Sequence, residues 1–385
     1  MRTFQKFIRK FLPRLGAIVA AIVLCVGVYA SAVFFLYKPD VHDGGEIPFD
    51  TSSREEDKEK KDDPDVTVKD THYNFLVLGH DRAASLTDVI ILISYDIEKQ
   101  SISMLQIPRD TYVELEDYSY HKINGAYNYF VSAARKSGSS DPEKDGCRGF
   151  ASFLETNLCV KIHYCAVMDL DGFSGIVDTI GGVDMYVPQN MYYSDPGQNL
   201  YINLREGYQH LDGKTAEQFV RYRMGYANAD IGRGNAQKLF IAAFIKKLKT
   251  SVSDVSVLGD LASNVITYVD TDITVNDIIY FGKYFLGLGN GKSVDLSNIH
   301  MMTMPGTAKY HNGASYYVMN KAAVAEIING DFNIYDFDIL SSFDKDQVFV
   351  AEDSAEIRAL YLADKETVTT DVYDADSLNN QEGID

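Results

Sequence analysis

The amino-acid sequence predicts an α/β protein, with a layered α/β/α domain built on a central mixed sheet and preceded by one N-terminal transmembrane helix. Two observations lead to this prediction. From residue 73 onward, short apolar runs rich in β-branched residues alternate with longer segments of helical periodicity. Ahead of them, residues 15–37 contain no charged side chain, and a helix of that length, at about 1.5 Å per residue, spans a hydrocarbon core of roughly 30 Å.

The charges around this apolar stretch predict its orientation. Residues 1–14 carry five basic side chains and no acidic one. This is typical of a cytoplasmic tail, so everything after residue 37 is expected outside, on a protein that crosses the cell membrane once. A cleaved signal peptide, cut near Ser31, is the alternative interpretation, but its apolar region is usually about 7–15 residues long.

Composition sets two further segments apart from the folded part. Residues 38–72 are rich in charge, Pro and Gly, so they bury too little apolar surface to offset the entropy of ordering. We expect an acidic disordered linker that lifts the next domain off the bilayer. The extracytoplasmic domain is predicted for 73–330, and 331–385 is predicted to be an acidic C-terminal extension with a frayed end.

The overall composition excludes several classes of protein. The chain has 36 Lys and Arg against 55 Asp and Glu, a net charge of −19. This argues against nucleic acid as a partner, because such binding depends on neutralising phosphates. Cys147, Cys159 and Cys165 follow the apolar stretch, and whether two of them form a disulfide is left open. Neither a CxxC nor an HExxH motif occurs, so no zinc site is expected.

The folded domain is predicted to begin with three strands, at 73–79, 89–95 and 101–107. The link between the last two has hairpin length, so we expect antiparallel neighbours. The later elements are predicted, in chain order, as helix 122–136, helix 149–158, strand 161–169, helix 172–180, strand 182–187, helices 214–224, 235–248, 257–268 and 275–286, strands 299–304 and 315–319, and helix 320–328. The segment 287–293, GLGNGKS, lacks the first glycine of a phosphate-binding loop, and a helix C-cap followed by a turn explains it better.

Charged residues flank each of the first three strands. Asp81 and Arg82 follow the first strand, Asp88 precedes the second and Arg109 follows the third. In open α/β sheets, strand ends are where sites form. The two carboxylates offer the oxygen ligands that Mg²⁺ prefers. A solvated loop with a surface Asp–Arg pair is an equally supported interpretation.

A second charged cluster lies at the end of one predicted helix and the start of the next. It contains Arg221, Arg223, Asp230, Arg233 and Gln237. Guanidiniums this close in sequence repel one another unless an anion lies between them. The anion is either a ligand phosphate or the carboxylate of Asp230, and the pattern leaves both interpretations open.

Five motifs in chain order resemble those of the LytR-CpsA-Psr family. They are FLVLGHDR at 75–82, TDVI at 87–90, IPRDTYV at 107–113, KINGAY at 122–127, and VDTIGGVD at 177–184 with the later pattern RYR…D..R…Q that ends at Gln237. The chain departs from the family in two ways. Ala236 stands where the family usually has Arg, and the segment between Asp81 and Asp88 is short.

This resemblance implies a membrane-anchored enzyme of cell-wall assembly. The family attaches anionic glycopolymers of teichoic-acid or capsule type to peptidoglycan. The donor would be a glycan on a polyprenyl-pyrophosphate carrier, the product a phosphodiester, and the cofactor Mg²⁺. A non-catalytic protein that binds or tethers polyprenyl lipid or glycopolymer is the alternative. A transcriptional attenuator, a role suggested by names in the family, fits poorly with an exported domain.

The resemblance also implies roles for individual residues. By motif match, Asp81 and Asp88 would bind the metal. The catalytic residues around the pyrophosphate would be Arg109, Arg221, Arg223 and Arg233, with Asp230 orienting the arginines. The substrate-binding residues would be Arg82, Lys122, Asn124 and Gln237.

Overall fold

A computed structural model describes residues 37–39, 68–198, 200–224, 229–252, 254–311, 313–340 and 371–380, without the side chains of 198, 229–231 and 255. The predicted cytoplasmic tail, the predicted membrane span up to residue 36 and most of the predicted linker lie outside these ranges. Within them, no helix combines the length and the apolar character needed to cross a bilayer.

The strands of the described ranges are, in chain order, β1 (His72–Asp81), β2 (Leu86–Asp96), β3 (Ser101–Gln106), β4 (Tyr164–Met168), β5 (Val183–Val187), β6 (Met191–Asp195), β7 (Leu200–Leu204), β8 (Gly207–Leu211), β9 (Asp270–Thr271), β10 (Ile299–Thr303), β11 (Gly306–His311), β12 (Ala314–Met319) and β13 (Val372–Asp374). The α-helices are α1 (Ala126–Lys136), α2 (Pro142–Leu158), α3 (Leu170–Thr179), α4 (Gly213–Arg221), α5 (Ala229–Ser251), α6 (Val255–Tyr268), α7 (Val275–Phe285), α8 (Lys321–Ile327) and α9 (Ala375–Asn379).

Seven strands form the central sheet, in the order β13-β10-β3-β2-β1-β4-β9. Strands β1, β3, β4 and β10 run one way, and β2, β9 and β13 run the other way. The carboxyl ends of the first group therefore meet the amino end of β2 at one margin of the sheet, which we call the site edge. The predicted mixed sheet and the predicted antiparallel pairing of β2 with β3 are both confirmed.

Alternating residues of the central strands point into two separate cores, because successive side chains of a strand face opposite sides. On one face, Leu76 and Leu78 of β1 pack with Phe150 of α2. On the other face, Tyr73 of β1 lies in the same core as Phe240 of α5. Helices thus cover both faces of the sheet.

Several elements differ from those predicted. Helix α2 begins earlier, because Pro142 occupies its first turn and the side chain of Asp141 accepts a hydrogen bond from the amide of Lys144 at 3.3 Å. Helix α4 ends at Arg221 rather than at residue 224. The strand predicted at 182–187 is confirmed as β5, but its partner β8 and the paired strands β6 and β7 were missed. Outward positions of these three missed strands carry exposed tyrosines.

The C-terminal residues are part of the domain where the structure describes them. Phe332, Ile334 and Ile339 lie in the same core as Phe150 of α2. Residues 371–380 include β13, which pairs with β10, and α9, whose Leu378 is buried. The expectation of a frayed end is therefore wrong for residues 371–380, because apolar side chains here complete one edge of the sheet.

The ends of the predicted linker lie next to each other. Lys38 Nζ is 3.1 Å from Asp70 Oδ2, and Tyr37 Oη donates a hydrogen bond to Asp277 Oδ1 at 2.7 Å. Val68 already forms a β-bridge with Tyr335. The chain on both sides of residues 40–67 therefore contacts the folded domain.

The remaining sequence features have simple structural roles. Cys147, Cys159 and Cys165 are buried, and no disulfide joins any two of these three described cysteines. Helix α7 ends at Phe285, and Gly287 adopts a φ of +77° in the turn that follows. This left-handed conformation favours glycine, so the GLGNGKS segment begins as a helix-terminating turn.

Candidate functional site

A β-bulge at the site edge positions Asp88. Gly79 of β1 pairs with Val89 of β2, whereas the next residue, His80, pairs with Thr87. Asp88 is thus the extra residue of β2. Bulges of this kind redirect a side chain next to a site.

Two arginines bind the carboxylate of Asp88. Arg109 Nη1 lies 2.8 Å from Oδ1, and Arg223 Nη2 lies 3.5 Å from Oδ2. Burial alone would raise the pKa of Asp88, but the hydrogen bond and charge of Arg109, with the charges of Arg233 and Arg223, hold the pKa below its ordinary value. Asp88 is therefore an ionised carboxylate in contact with two guanidiniums, and the charge of a third, Arg233, also acts on it.

The loop after β3 holds Arg109 in place. The carbonyl of Arg109 accepts a hydrogen bond from the amide of Asn124 at 3.2 Å, and the side chain of Asn124 is buried. Lys122 Nζ donates to Asp110 Oδ1 at 2.9 Å. The predicted substrate-binding residues Lys122 and Asn124 thus both contact the loop that carries Arg109.

The described partner of Arg221 is Glu217, whereas the sequence pattern suggested Asp230. Arg221 is the last residue of α4, and its Nη1 lies 2.8 Å from Oε1 of Glu217, one helical turn earlier. Arg223 lies beyond the helix end and turns toward Asp88. Asp230 falls in the first turn of α5, and its side chain is outside the described residues.

Helix α5 contributes Arg233 and Gln237, both buried. Gln237 Oε1 accepts a hydrogen bond from Nε2 of Gln106, the last residue of β3, at 3.0 Å. Gly234 permits this approach, since a Cβ there would lie 3.2 Å from Oε1 of Gln106. Ala236 is fully buried in the core, so the position where the family usually has Arg faces the protein interior.

Asp81 and Arg82 lie at the same edge but point to different neighbours. Asp81 Oδ1 accepts hydrogen bonds from the amides of Ala83 and Ala84, at 2.9 and 3.1 Å, and so shapes the β1–β2 turn. Arg82 Nε lies 2.9 Å from Asp169 Oδ2, at the end of β4. Among the described residues, no group of three or more His, Cys, Asp or Glu side chains is arranged to hold a metal ion.

Two residues of this region were missed by the sequence analysis. Glu217 stands four positions before Arg221, a spacing that brings helical side chains together, and this signal was available. Gln106 ends an apolar strand just before the Ile-Pro-Arg-Asp motif. Its contact with Gln237 depends on how α5 crosses the sheet.

A mixed sheet covered by helices on both faces, with arginines gathered around one carboxylate at its edge, defines an α/β protein with a site suited to an anionic group. The model of the LytR_cpsA_psr family matches residues 47–332. The chain belongs to the LytR_cpsA_psr family, as its motifs predicted.

Individual relatives support this assignment. The chain is 27% identical over 324 residues to the polyisoprenyl-teichoic acid–peptidoglycan teichoic acid transferase TagU of Oceanobacillus iheyensis, covering 83% of this chain and 92% of that protein. It is 29% identical over 230 residues to the regulatory protein MsrR of Staphylococcus aureus, covering 58% and 63%. The crystal structure of Bacillus subtilis TagV shares the fold, with a TM-score of 0.51 at 23% identity over 67% of this chain and 94% of that one.

Proposed function

We propose that the protein is a phosphotransferase that attaches an anionic glycopolymer, of teichoic-acid or capsule type, from a polyprenyl-pyrophosphate carrier to peptidoglycan. The observation that carries the proposal is the contact of Arg109 and Arg223 with Asp88 at the site edge, where the charge of the buried Arg233 acts on the same carboxylate. In a chain of net charge −19, this is a local concentration of positive charge. The name of the relative TagU supports the same class of substrate.

The arginines suit the chemistry of phosphoryl transfer. Such reactions depend mostly on positioning and on neutralising charge that develops on phosphate oxygens. In the proposed reaction an acceptor hydroxyl oxygen bonds to the phosphorus that carries the glycan. The bond from that phosphorus to the bridging oxygen breaks, and polyprenyl phosphate and a proton are released. Asp88 would keep the guanidiniums together before the donor pyrophosphate enters.

The proposal includes a magnesium ion held by Asp81 and Asp88 and shared with a phosphate of the donor. Mg²⁺ is usually held by one or two carboxylates, with the remaining positions filled by water and substrate phosphates. Asp81 and Asp88 lie on the adjacent strands β1 and β2, at the site edge. Among the described residues, the hydrogen bonds to the Asp81 carboxylate are accepted by Oδ1, and Oδ2 accepts none. These two residues would hold Mg²⁺, which would neutralise part of the pyrophosphate charge.

The proposal includes an anchor and a location. Residues 1–14 would lie in the cytoplasm, 15–37 would cross the cell membrane once, and the domain would face peptidoglycan on the outside. The uncharged stretch and its basic flank support this topology.

A transfer assay tests the proposal against the alternative of a binding or tethering protein. The full chain in detergent would be incubated with a polyprenyl-pyrophosphate-linked glycan, peptidoglycan oligosaccharide and Mg²⁺. We expect a glycan–peptidoglycan phosphodiester and free polyprenyl phosphate, in equal amounts. Tight binding of the donor without either product would overturn the enzyme assignment in favour of a tethering protein.

A further inference from the structure

Tyr37 contacts the folded domain through both its hydroxyl and its ring. Tyr37 Oη donates to Asp277 Oδ1 at 2.7 Å, and its ring lies edge-on to Tyr280 with centroids 6.4 Å apart. The nearby pair of Lys38 with Asp70 is largely exposed and contributes little energy. Tyr37 therefore contributes more than Lys38 to the attachment of residues 37–39, in which Pro39 is also buried.

The carboxylate of Asp277, which accepts the hydrogen bond from Tyr37, is also held in place by other residues of the domain. Asp277 is buried in the first turn of α7. Its Oδ2 accepts hydrogen bonds from the amide and hydroxyl of Thr274, at 2.8 and 2.6 Å, in a capping box. Tyr164 Oη also donates to Oδ1, at 3.3 Å. The position of Tyr37 thus follows from the start of α7.

This attachment lies at the end of the sheet opposite the site edge. Tyr280 and Phe281 of α7 pack on Tyr73, near the start of β1, with ring centroids 6.4 and 5.0 Å apart. Asp81 ends the same strand. Eight residues of strand at about 3.3 Å each separate these points, so the two ends lie roughly 26 Å apart.

We propose that the start of α7 and the start of β1 rest against the phospholipid bilayer, with the arginine site at the opposite end of the sheet, roughly 26 Å away along β1. The inference rests on the proposed anchor. The uncharged stretch 15–37 ends at Tyr37 itself, and tyrosine is enriched where a membrane-spanning segment meets the headgroups. Because Tyr37 is bound to the domain, the end of the span and the face around α7 lie at the same level. The occupant of this face is the lipid headgroup layer.

Fluorescence quenching by lipids tests this orientation. The full chain, with Cys25→Ala, would be placed in phosphatidylcholine–phosphatidylglycerol vesicles that contain a headgroup nitroxide lipid. A fluorophore would be attached at Asn276→Cys, beside Asp277, or at Ala84→Cys, beside the site edge. Both positions are exposed, and the three described cysteines are buried.

We expect severalfold stronger quenching at position 276 than at position 84. The double variant Tyr37→Ala with Lys38→Ala should bring the ratio close to one, whereas Tyr192→Ala, at an exposed tyrosine of β6, should leave it unchanged. A chain that does not float with the vesicles would overturn the anchor and with it this proposal. A chain that floats but is quenched equally at both positions, or more at 84, would overturn the orientation alone.

Discussion

Arg109 joins β3 to β2 at the site edge, because its Nη1 lies 2.8 Å from Oδ1 of Asp88. The bulge that makes Asp88 an extra residue of β2 turns the carboxylate to this position. Arg223 reaches the other oxygen from the end of α4. The carboxylate of Asp88 on β2 thus holds the loop after β3 and the chain beyond α4. Substitution of Asp88 by Asn removes the charge on which these contacts depend.

Asp88→Asn should lower both stability and transfer. Losing charge-assisted hydrogen bonds to partly buried guanidiniums costs about 1–3 kcal/mol. Because the folded-state pKa is lowered, this contribution is present above the unfolded pKa and is lost as the pH falls through the folded value. Denaturant unfolding should therefore show a deficit at pH 7 that shrinks below about pH 4. As a control, Asp184→Asn removes a carboxylate from an exposed pair with His210 and should stay within about 0.5 kcal/mol of wild type.

Asp81→Asn should impair transfer while leaving the fold intact. The amide oxygen still accepts the hydrogen bonds from Ala83 and Ala84, so the β1–β2 turn is preserved, but the negative charge offered to Mg²⁺ is lost. Transfer rates with a magnesium titration, beside thermal unfolding, measure the two effects separately. Full activity of this variant in the presence of a chelator would refute the magnesium assignment.

Arg221→Ala and Arg223→Ala should each reduce transfer roughly 10–100-fold, because a charge-assisted hydrogen bond to phosphate is worth roughly 1.5–3 kcal/mol. Arg221→Ala should also lower stability by about 1–3 kcal/mol, because Arg221 and Glu217 are mostly buried and the change takes this partner from the Glu217 carboxylate. Arg223→Ala should cost less, since the contact of Arg223 with Asp88 is long at 3.5 Å. Lys at either position should restore only part of the rate, since it lacks the planar fork.

The measurement for the arginine variants combines transfer rate with the thermal shift that the lipid pyrophosphate donor produces. Wild-type protein should be stabilised by the donor, and each variant should be stabilised less. If both variants keep the full rate and the full donor-induced shift, the guanidiniums serve only as internal ion-pair partners.

His72 should make the domain sensitive to mild acid. Burial, partly offset by the charge of Asp96, lowers the pKa of His72 to about 4, whereas an unfolded histidine titrates near 6.5. Between these values the unfolded chain binds a proton that the folded chain does not, so stability falls as the pH drops. From pH 7 to pH 4.5 the loss should be about 2–3 kcal/mol. Unfolding curves of wild type and His72→Gln should converge over this range, and parallel curves would contradict the prediction.

The sequence carried enough information for the centre of the sheet. β1, β2 and β3 are apolar runs separated by short links. Because the link 96–100 has only five residues, β2 and β3 can pair side by side only as antiparallel strands, and they do. Strands β6 and β7 escaped prediction because their outward positions hold tyrosines such as Tyr192 and Tyr201. These apolar rings weaken the alternation of polar and apolar residues that identifies a half-buried strand.

The candidate site was predicted in composition but only partly in arrangement. Proximity in sequence placed Arg82 with Asp81, yet Arg82 binds Asp169, which becomes a neighbour only through the parallel pairing of β1 with β4. The central position of Asp88 depends on a bulge, and a bulge is a property of the register between two strands rather than of either sequence alone.

The contact between Lys38 and Asp70 also has a consequence for how this protein tolerates change. A linker determines the distance between the two parts that it connects only when its own ends are far apart. Here the side chains on either side of the linker meet, with Lys38 Nζ 3.1 Å from Asp70 Oδ2. Doubling the length of such a closed segment costs only about 0.6 kcal/mol. Insertions, deletions or an epitope placed between Lys38 and Asp70 should therefore leave the contact of Tyr37 with Asp277 unchanged.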